Sequence, residues 1–189
     1  MMYNIMLSRR SIRRFQQKPI SLKILKKLVN TARLAPSAAN LQQLEYIIIH
    51  DKIVCAHLFE TIGWATYLTP KWIPKPEERP TAYIVILVKD ITNKYYQRDV
   101  GLATENIVLA AEADDIGTCI LCNINKEKIR EILYIPTTFA VDSVIALGYK
   151  AEQPIVEELK ESVKYWRDNN GVLHVPKRKL DDIIHVNTF

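Results

Sequence analysis

An α/β (α+β) fold, a sheet covered by helices, is what three features of this chain predict. Segments of helical periodicity alternate with short apolar runs along most of the sequence. The runs Tyr46-Ile47-Ile48-Ile49, Tyr83-Ile84-Val85-Ile86-Leu87-Val88 and Ser143-Val144-Ile145-Ala146-Leu147-Gly148-Tyr149 place β-branched residues in succession without polar alternation, the pattern of strands covered on both faces. With 189 residues, 48% apolar and 25% charged, the chain is long enough for one core without covalent staples, so a single domain over 1–189 is expected.

Each element has its own justification. Leu22, Leu25, Leu28, Val29 and Ala32 share a helix face, Ser21 stands where an N-cap belongs, and Pro36 lies beyond the end. The run 46–49 reads as a central strand. Val54, Leu58, Phe59 and Ile62 suggest a helix that closes near Gly63. Four prolines and several charges keep 69–80 out of any sheet or helix interior, which predicts an exposed loop, a short lid or rim. After the strand at 83–88, Val100, Ala103, Ile107, Ala110 and Ala111 describe an alanine-rich helix over 99–115, with Gly117 as its stop. Its small side chains suit a central position or a subunit contact. Residues 118–121 read as a strand, Asn125 caps a short helix through Leu133, and 143–149 is a third buried strand. In the tail a helix is expected over 156–167, then the basic run at Pro176-Lys177-Arg178-Lys179, then a last apolar strand at Ile183 and Ile184.

Charge is unevenly placed. Nine cationic side chains and no carboxylate precede Glu45, and they are densest in Ser8-Arg9-Arg10-Ser11-Ile12-Arg13-Arg14-Phe15. Guanidinium forks with hydroxyls between them suit a compact polyanion such as a phosphate; a solvated basic helix face is the plainer alternative. The turn Ala35-Pro36-Ser37-Ala38-Ala39-Asn40-Leu41-Gln42 offers amides and backbone groups that suit the edge of a flat heteroaromatic ring. Phosphate grip and ring edge together suggest a nucleotide-like cofactor. Beyond the first forty residues acids and bases mix, and the net charge of +5 is less one-sided than a nucleic-acid coat requires.

Other chemistries find little support. No apolar run approaches the roughly 20 residues of a membrane span. The Arg-rich start lacks the apolar core of a secretory signal and runs into a core helix without a cleavable linker, against an organelle transit peptide. Three cysteines give no disulfide framework and point to a reducing cytoplasm. Cys119 and Cys122 have dithiol spacing, yet fall inside an expected strand on opposite faces, so buried structural thiols are the better reading. His50, His57, His174 and His185 never cluster with cysteines at ligand spacing, and metal is not expected. Neither a glycine-rich phosphate loop nor a nucleophile triad is present. For Trp64 and Trp72, core or rim packing is the expected role.

The quoted segments, with Asp99-Val100-Gly101-Leu102-Ala103-Thr104-Glu105-Asn106, Ile116-Gly117-Thr118 and Val144 to Tyr149, occur in an order and spacing that resembles the FMN-dependent nitroreductase family. The resemblance implies a three-layer fold with a central mixed sheet flanked by helices. It further implies a homodimer that exchanges a C-terminal strand, the extension 153–189 wrapping the partner subunit, and FMN at the subunit interface. By the same resemblance Arg9, Arg10, Ser11 and Arg13 hold the phosphate, joined by Arg178 with Lys179 as the alternative. Pro36, Ser37, Ala38, Asn40 and Gln42 of the other subunit border the isoalloxazine, and Gly117 and Thr118 begin a segment facing its reactive edge. NADH or NADPH would reduce FMN and a small acceptor, a nitroaromatic or quinone, would reoxidise it in ping-pong fashion, with no catalytic side chain. A protein that binds, senses or fragments flavin without turnover is the alternative. Three departures bear on activity more than on FMN: Ala39 replaces a common glycine, Gln43-Leu44 replaces a proline–aromatic pair, and Ile120 and Leu121 replace an aromatic.

Overall fold

The computed structural model describes residues 2–68 and 70–188, and within them the strands are explained by what covers each face. Strand β5 (Ala140–Lys150) is flanked by β3 (Ala82–Val88) on one edge and β4 (Ile116–Leu121) on the other, with β2 (Leu44–Ile49) beyond β3 and the short β1 (Phe15–Gln16) on the last residues of β5. These ladders are antiparallel, and a parallel bridge between Ser11 and Thr118 makes the sheet mixed.

Alternate residues of β3 and β5 supply two separate cores. Ile84, Ile86, Ile145 and Leu147 pack with α2 (Leu22–Arg33) and α4 (Tyr96–Ala113). Tyr83, Val85, Val144 and Ala146 pack on the opposite face with α3 (Lys52–Phe59), α5 (Lys126–Leu133), Ile12 and Phe15. Helix, sheet and helix form the three layers that the resemblance implied. The expected N-caps are present: Ser21 accepts from the Ile24 amide and Asn125 from the Lys128 amide. Trp64 is buried and stacks on Phe59.

Several expectations need correction. The run 46–49 lies in the edge strand β2, where only Ile49 is fully buried: a doubly apolar run reports packing on both faces, not a neighbour on both edges. Gly117 does not stop α4; that turn is made by Asp114 and Asp115, the latter left-handed at φ 58, and Gly117 lies inside β4. Helix α1 (Met2–Ser8) was not foreseen, and α3 ends at Phe59, short of Gly63. Residues 156–167 form no helix. Val156, Leu159, Val163 and Trp166 are spaced like a helix face, but β6 (Ile155–Glu158) and β7 (Trp166–Arg167) pair with β8 (Leu173–Lys177) in a second, three-stranded sheet. Trp166 stacks on His174 at 4.0 Å and donates to Glu157 at 2.8 Å, contacts that local periodicity does not encode. Among the described residues Ile183 and Ile184 pair with no strand, and they are about half exposed, at 50% and 47%. Cys122 is exposed rather than buried, just past the end of β4, whereas Cys119 is buried. Thr69, where the proline-rich loop was expected to begin, is outside the described residues; the rest of that stretch contains one short 3₁₀ turn, Pro76–Glu78.

What matters most for the site is how residues 9–16 cross the sheet. The Ile12 amide donates to the Thr118 carbonyl (2.8 Å) at the outer edge of β4, and four residues later Gln16 pairs with Tyr149 on the far edge of β5. Between those points the arm passes over Gly117 and Gly148, which face each other across the ladder. A Cβ at Gly117 would sit 2.9 Å from three side-chain carbons of Ile12, and one at Gly148 would sit 2.7 Å from the Phe15 ring. Gly117→Ala should therefore cost about 1–3 kcal/mol as an overpacked core, read as a thermal midpoint several degrees lower; an unchanged midpoint would show the arm free to shift.

Burial also sets an alkaline limit. Burial chiefly, with Asp51 adding to it, pushes the Cys55 thiol up from 9.0 to about 11, and burial pushes Tyr46 up to about 12. Both are held neutral in the fold, so their contribution is complete below the unfolded values and is lost as pH rises through the folded ones. Unfolding free energy measured with denaturant should decline above about pH 9, and Cys55→Ala should make that decline shallower.

Candidate functional site

The basic arm is the first part of the site. Burial chiefly, and then the neighbouring Arg9, lower the pKa of Arg10, with Glu112 opposing them. The Arg10 guanidinium donates to the carbonyls of Arg9 and of Leu7 (2.8 Å), while its buried Nε has no partner. Arg9 has one loose ionic contact, 3.8 Å to Glu105. Two adjacent cations with a donor to spare are a favourable place for an anion. Ser11 makes the bridge to Thr118, and the Arg13 guanidinium lies over the Tyr165 ring at 4.4 Å. Arg14 turns elsewhere, toward Glu78 at 3.3 Å and Trp72. Arg10 and Ser8 line a broad groove of about 950 Å³ with Glu112, Lys150 and Glu152.

One carboxylate shapes the arm. Glu152 accepts the Arg13 amide at 2.5 Å and the Arg14 amide at 3.2 Å through one oxygen, and its other oxygen pairs with Arg167 at 2.6 Å. Its side chain is only 6% exposed, so the pair is held in low dielectric by several hydrogen bonds at once.

The turn at 36–42 is the second part. Ala39, Asn40 and Gln42 all have positive φ, at 49, 54 and 49. Left-handed backbone is tolerated by asparagine but costs alanine roughly 1 kcal/mol, so outside contacts must hold the turn. The Ala38 amide donates to Asp99 Oδ1 at 2.9 Å and the Gln42 amide to Ser37 Oγ at 3.2 Å. Asp99 is 3% exposed, and its Oδ2 has no partner. Pro36, Ser37, Gln42, Arg33, Tyr46 and Asp99 line a cavity of about 370 Å³.

The expected residues are thus gathered in part. Ser11, Gly117 and Thr118 meet, but in this chain Gly117 is covered by Ile12 and the Thr118 carbonyl receives the Ile12 amide, so both support the arm. The arm's groove and the turn's cavity share no lining residue. Arg178 donates to the Asp182 carbonyl at 2.6 Å and Lys179 pairs with Glu158 at 3.1 Å, and neither lines the arm's groove. Sequence reasoning missed Asp99 and Glu152 as organisers. The only hint for Asp99 was an acidic residue near a helix start, and nothing local marked Glu152. Among the described residues no group of three or more His, Cys, Asp or Glu could hold a metal ion.

The family model described as Nitroreductase family matches residues 6–149. An Archaeoglobus fulgidus protein, provisionally named NADH dehydrogenase/NAD(P)H nitroreductase, is 32% identical over 154 residues, covering 77% of this chain and 83% of its own. The solved FMN-dependent nitroreductase of Clostridium difficile R20291 superposes with a TM-score of 0.68 at 24% identity, over 99% of each chain. Iodotyrosine deiodinase, solved with FMN and 3-iodo-L-tyrosine, shares the fold with a TM-score of 0.72 at 18% identity over 100% of each chain.

Asp99→Ala should leave the Ala38 amide without an acceptor, lowering stability by about 1–3 kcal/mol and raising hydrogen exchange at Ala38; Asp99→Asn, which keeps an acceptor, should retain most of both. Unaltered exchange at Ala38 in the alanine variant would remove Asp99 as the anchor.

Proposed function

Because the chain belongs to the nitroreductase family, we propose that it is an FMN-dependent oxidoreductase that uses NADH or NADPH to reduce small acceptors, nitroaromatics and quinones among them, in ping-pong turnover. The observation that carries this reading is the arm: two adjacent guanidiniums, one with an unpaired donor, next to a serine, on a segment fixed across the sheet. Arg9, Arg10, Ser11 and Arg13 fit a doubly charged phosphate, to which each charge-assisted hydrogen bond contributes about 1.5–3 kcal/mol. Ser37, Asn40 and Gln42 supply polar groups for a flat ring's edge, Pro36 and Ala38 its walls, and Gly117 and Thr118 act through the arm they support.

The separation of the two parts supports a homodimer. In one chain the arm and the turn line different cavities, which fits a composite site made by the turn of one subunit and the arm of the other. Ile183 and Ile184, half-exposed and unpaired with any strand among the described residues, suit an extension 153–189 that adds to the partner's surface and brings Arg178, or Lys179, toward the phosphate. Bound FMN supplies the two-electron redox chemistry that no side chain here carries. The protein's own part is to hold the phosphate, orient the ring edge and leave room for a donor or acceptor. Cys55, Cys119 and Cys122 are free thiols, in keeping with a cytoplasmic setting, and among the described residues no helix is long and apolar enough to cross a membrane.

The test is a visible spectrum of protein purified without added cofactor, repeated after anaerobic NADH or NADPH and then after a quinone or nitroarene. Flavin bands that bleach and return are expected. Bands that persist with both nucleotides would favour a flavin-holding protein without turnover, and a colourless protein that takes up no FMN would end the reading. The double substitution Arg9→Ala and Arg178→Ala should leave a folded dimer whose FMN retention is weaker by about tenfold or more; full retention would show the phosphate to be held elsewhere.

A further inference from the structure

Of the arm's arginines, Arg13 is the one whose donors are left open. Arg9 meets Glu105, Arg10 folds back on the carbonyls of Arg9 and Leu7, and Arg14 is turned toward Glu78 and the Gly171 carbonyl. Among the described residues no hydrogen bond or ion pair uses the Arg13 guanidinium, and each of its nitrogens reaches solvent. It lies over the Tyr165 ring, 4.4 Å from the centroid. A guanidinium donates in its own plane, so stacking on a ring fixes its direction and uses none of its donors.

The backbone of the same residue is held by the same stretch of tail. Between the Ser11–Thr118 bridge and the start of β1 at Phe15, the amides of Arg13 and Arg14 pair with no strand, and both donate to one oxygen of Glu152. The other oxygen of Glu152 is paired with Arg167. Tyr165 and Arg167 are two residues apart, the spacing that puts side chains on one face of an extended chain, while Trp166 between them is stacked on His174. One face of β7 therefore reaches Arg13 twice, at the guanidinium through Tyr165 and at the amide through Glu152. Both contacts are backed. Tyr67 stands against Tyr165 with ring centroids 5.2 Å apart, and Arg167 has the Trp72 ring at 5.0 Å and the Gly171 carbonyl at 2.7 Å.

We propose that Tyr165 and the Glu152–Arg167 pair are positioning residues for the cofactor's phosphate: they aim Arg13, and through Arg13 the site distinguishes FMN from the same flavin without a phosphate. This rests on the flavin reading above and gives the tail sheet a part in it. A free arginine gives up side-chain freedom when it grips an anion, which subtracts from affinity. Arg13 has given up that freedom in the fold, so more of each charge-assisted hydrogen bond it makes appears as binding.

Affinities of the full chain, freed of flavin, for FMN and for riboflavin test the assignment. Tyr165→Leu keeps an apolar side chain without a ring and should weaken FMN binding by about threefold to tenfold, the loss of a cation–π contact, with riboflavin unchanged; Tyr165→Phe should retain both affinities. Glu152→Gln removes a negative charge and by charge alone would tighten an anion. It should instead weaken FMN several-fold, leave riboflavin unchanged and speed hydrogen exchange at the Arg13 and Arg14 amides. In an Arg13→Ala background Tyr165→Leu should weaken FMN no further. Equal weakening of FMN and riboflavin would overturn the proposal, leaving a tail that supports the fold alone, and so would a Tyr165→Leu loss that persists in full without Arg13. FMN affinity intact in Tyr165→Leu, or tightened in Glu152→Gln, would overturn this role while the flavin reading stands; a wild-type chain that takes up neither flavin would end both.

Discussion

The passage of the arm over Gly117 and Gly148 is the constraint on which the rest of the structure depends. Residues in a directly opposed pair of an antiparallel ladder project to the same face, so two side chains there would stand as a ridge across the arm's path. With both absent, Ile12 and Phe15 enter the core at 3% and 0% exposure, and the intervening basic residues are carried along a fixed line. The apolar anchors and the cations alternate along the arm, so burial of one set determines where the other set is displayed. An anion site made of flexible surface arginines would lose affinity to side-chain and backbone ordering. Here the backbone ordering is supplied by the core.

Glu152 works on the same segment from the other side. A buried carboxylate with one partner would be a poor bargain, since desolvation of the two charges rivals their attraction. This one accepts two arm amides as well as the Arg167 fork, which uses the lone pairs that a simple ion pair would leave empty. The consequence is a link between parts of the chain distant in sequence. Arg167 belongs to β7 of the small sheet, and Arg14 and Arg167 both donate to the Gly171 carbonyl, so the tail's sheet is fastened to the arm's backbone. Tyr165 over Arg13 adds a second fastening.

The legible part of the fold was the part set by local pattern. Ser21 and Asn125 announce helix starts because capping is a contact of three residues' span, and β3 and β5 announce themselves because both of their faces are covered by helices whose own periodicity is visible. The edge position of β2 was not legible, because covering and pairing are independent and only covering leaves a compositional trace. The tail failed for a related reason: a spacing of 3, 4 and 3 between Val156, Leu159, Val163 and Trp166 satisfies a helix, but the pairing of β6 and β7 with β8 is decided by His174 and Trp166, which local windows do not connect. At the site, the basic cluster and the Pro36 turn stood out by residue type. What organises them did not, because Asp99 and Glu152 look like ordinary acids until their burial is known.

Strain and anchoring in the turn point the same way as the arm's glycines. Of the seven non-glycine residues with positive φ among the described residues, three lie within four positions, Ala39, Asn40 and Gln42. A loop free to relax would shed at least the alanine's share, about 1 kcal/mol. That it does not follows from two restraints, the Asp99 carboxylate on the Ala38 amide and the Ser37 hydroxyl on the Gln42 amide. Asp99 stands in the first turn of α4, where a carboxylate is favoured by the helix dipole, so the anchor is itself stabilised by the longest helix in the described chain. The turn and the arm are therefore both held rigidly, by opposite faces of one sheet, yet they line no common cavity. Rigidity in two separated half-sites agrees with the proposed homodimer, in which the turn of one copy would meet the arm of the other.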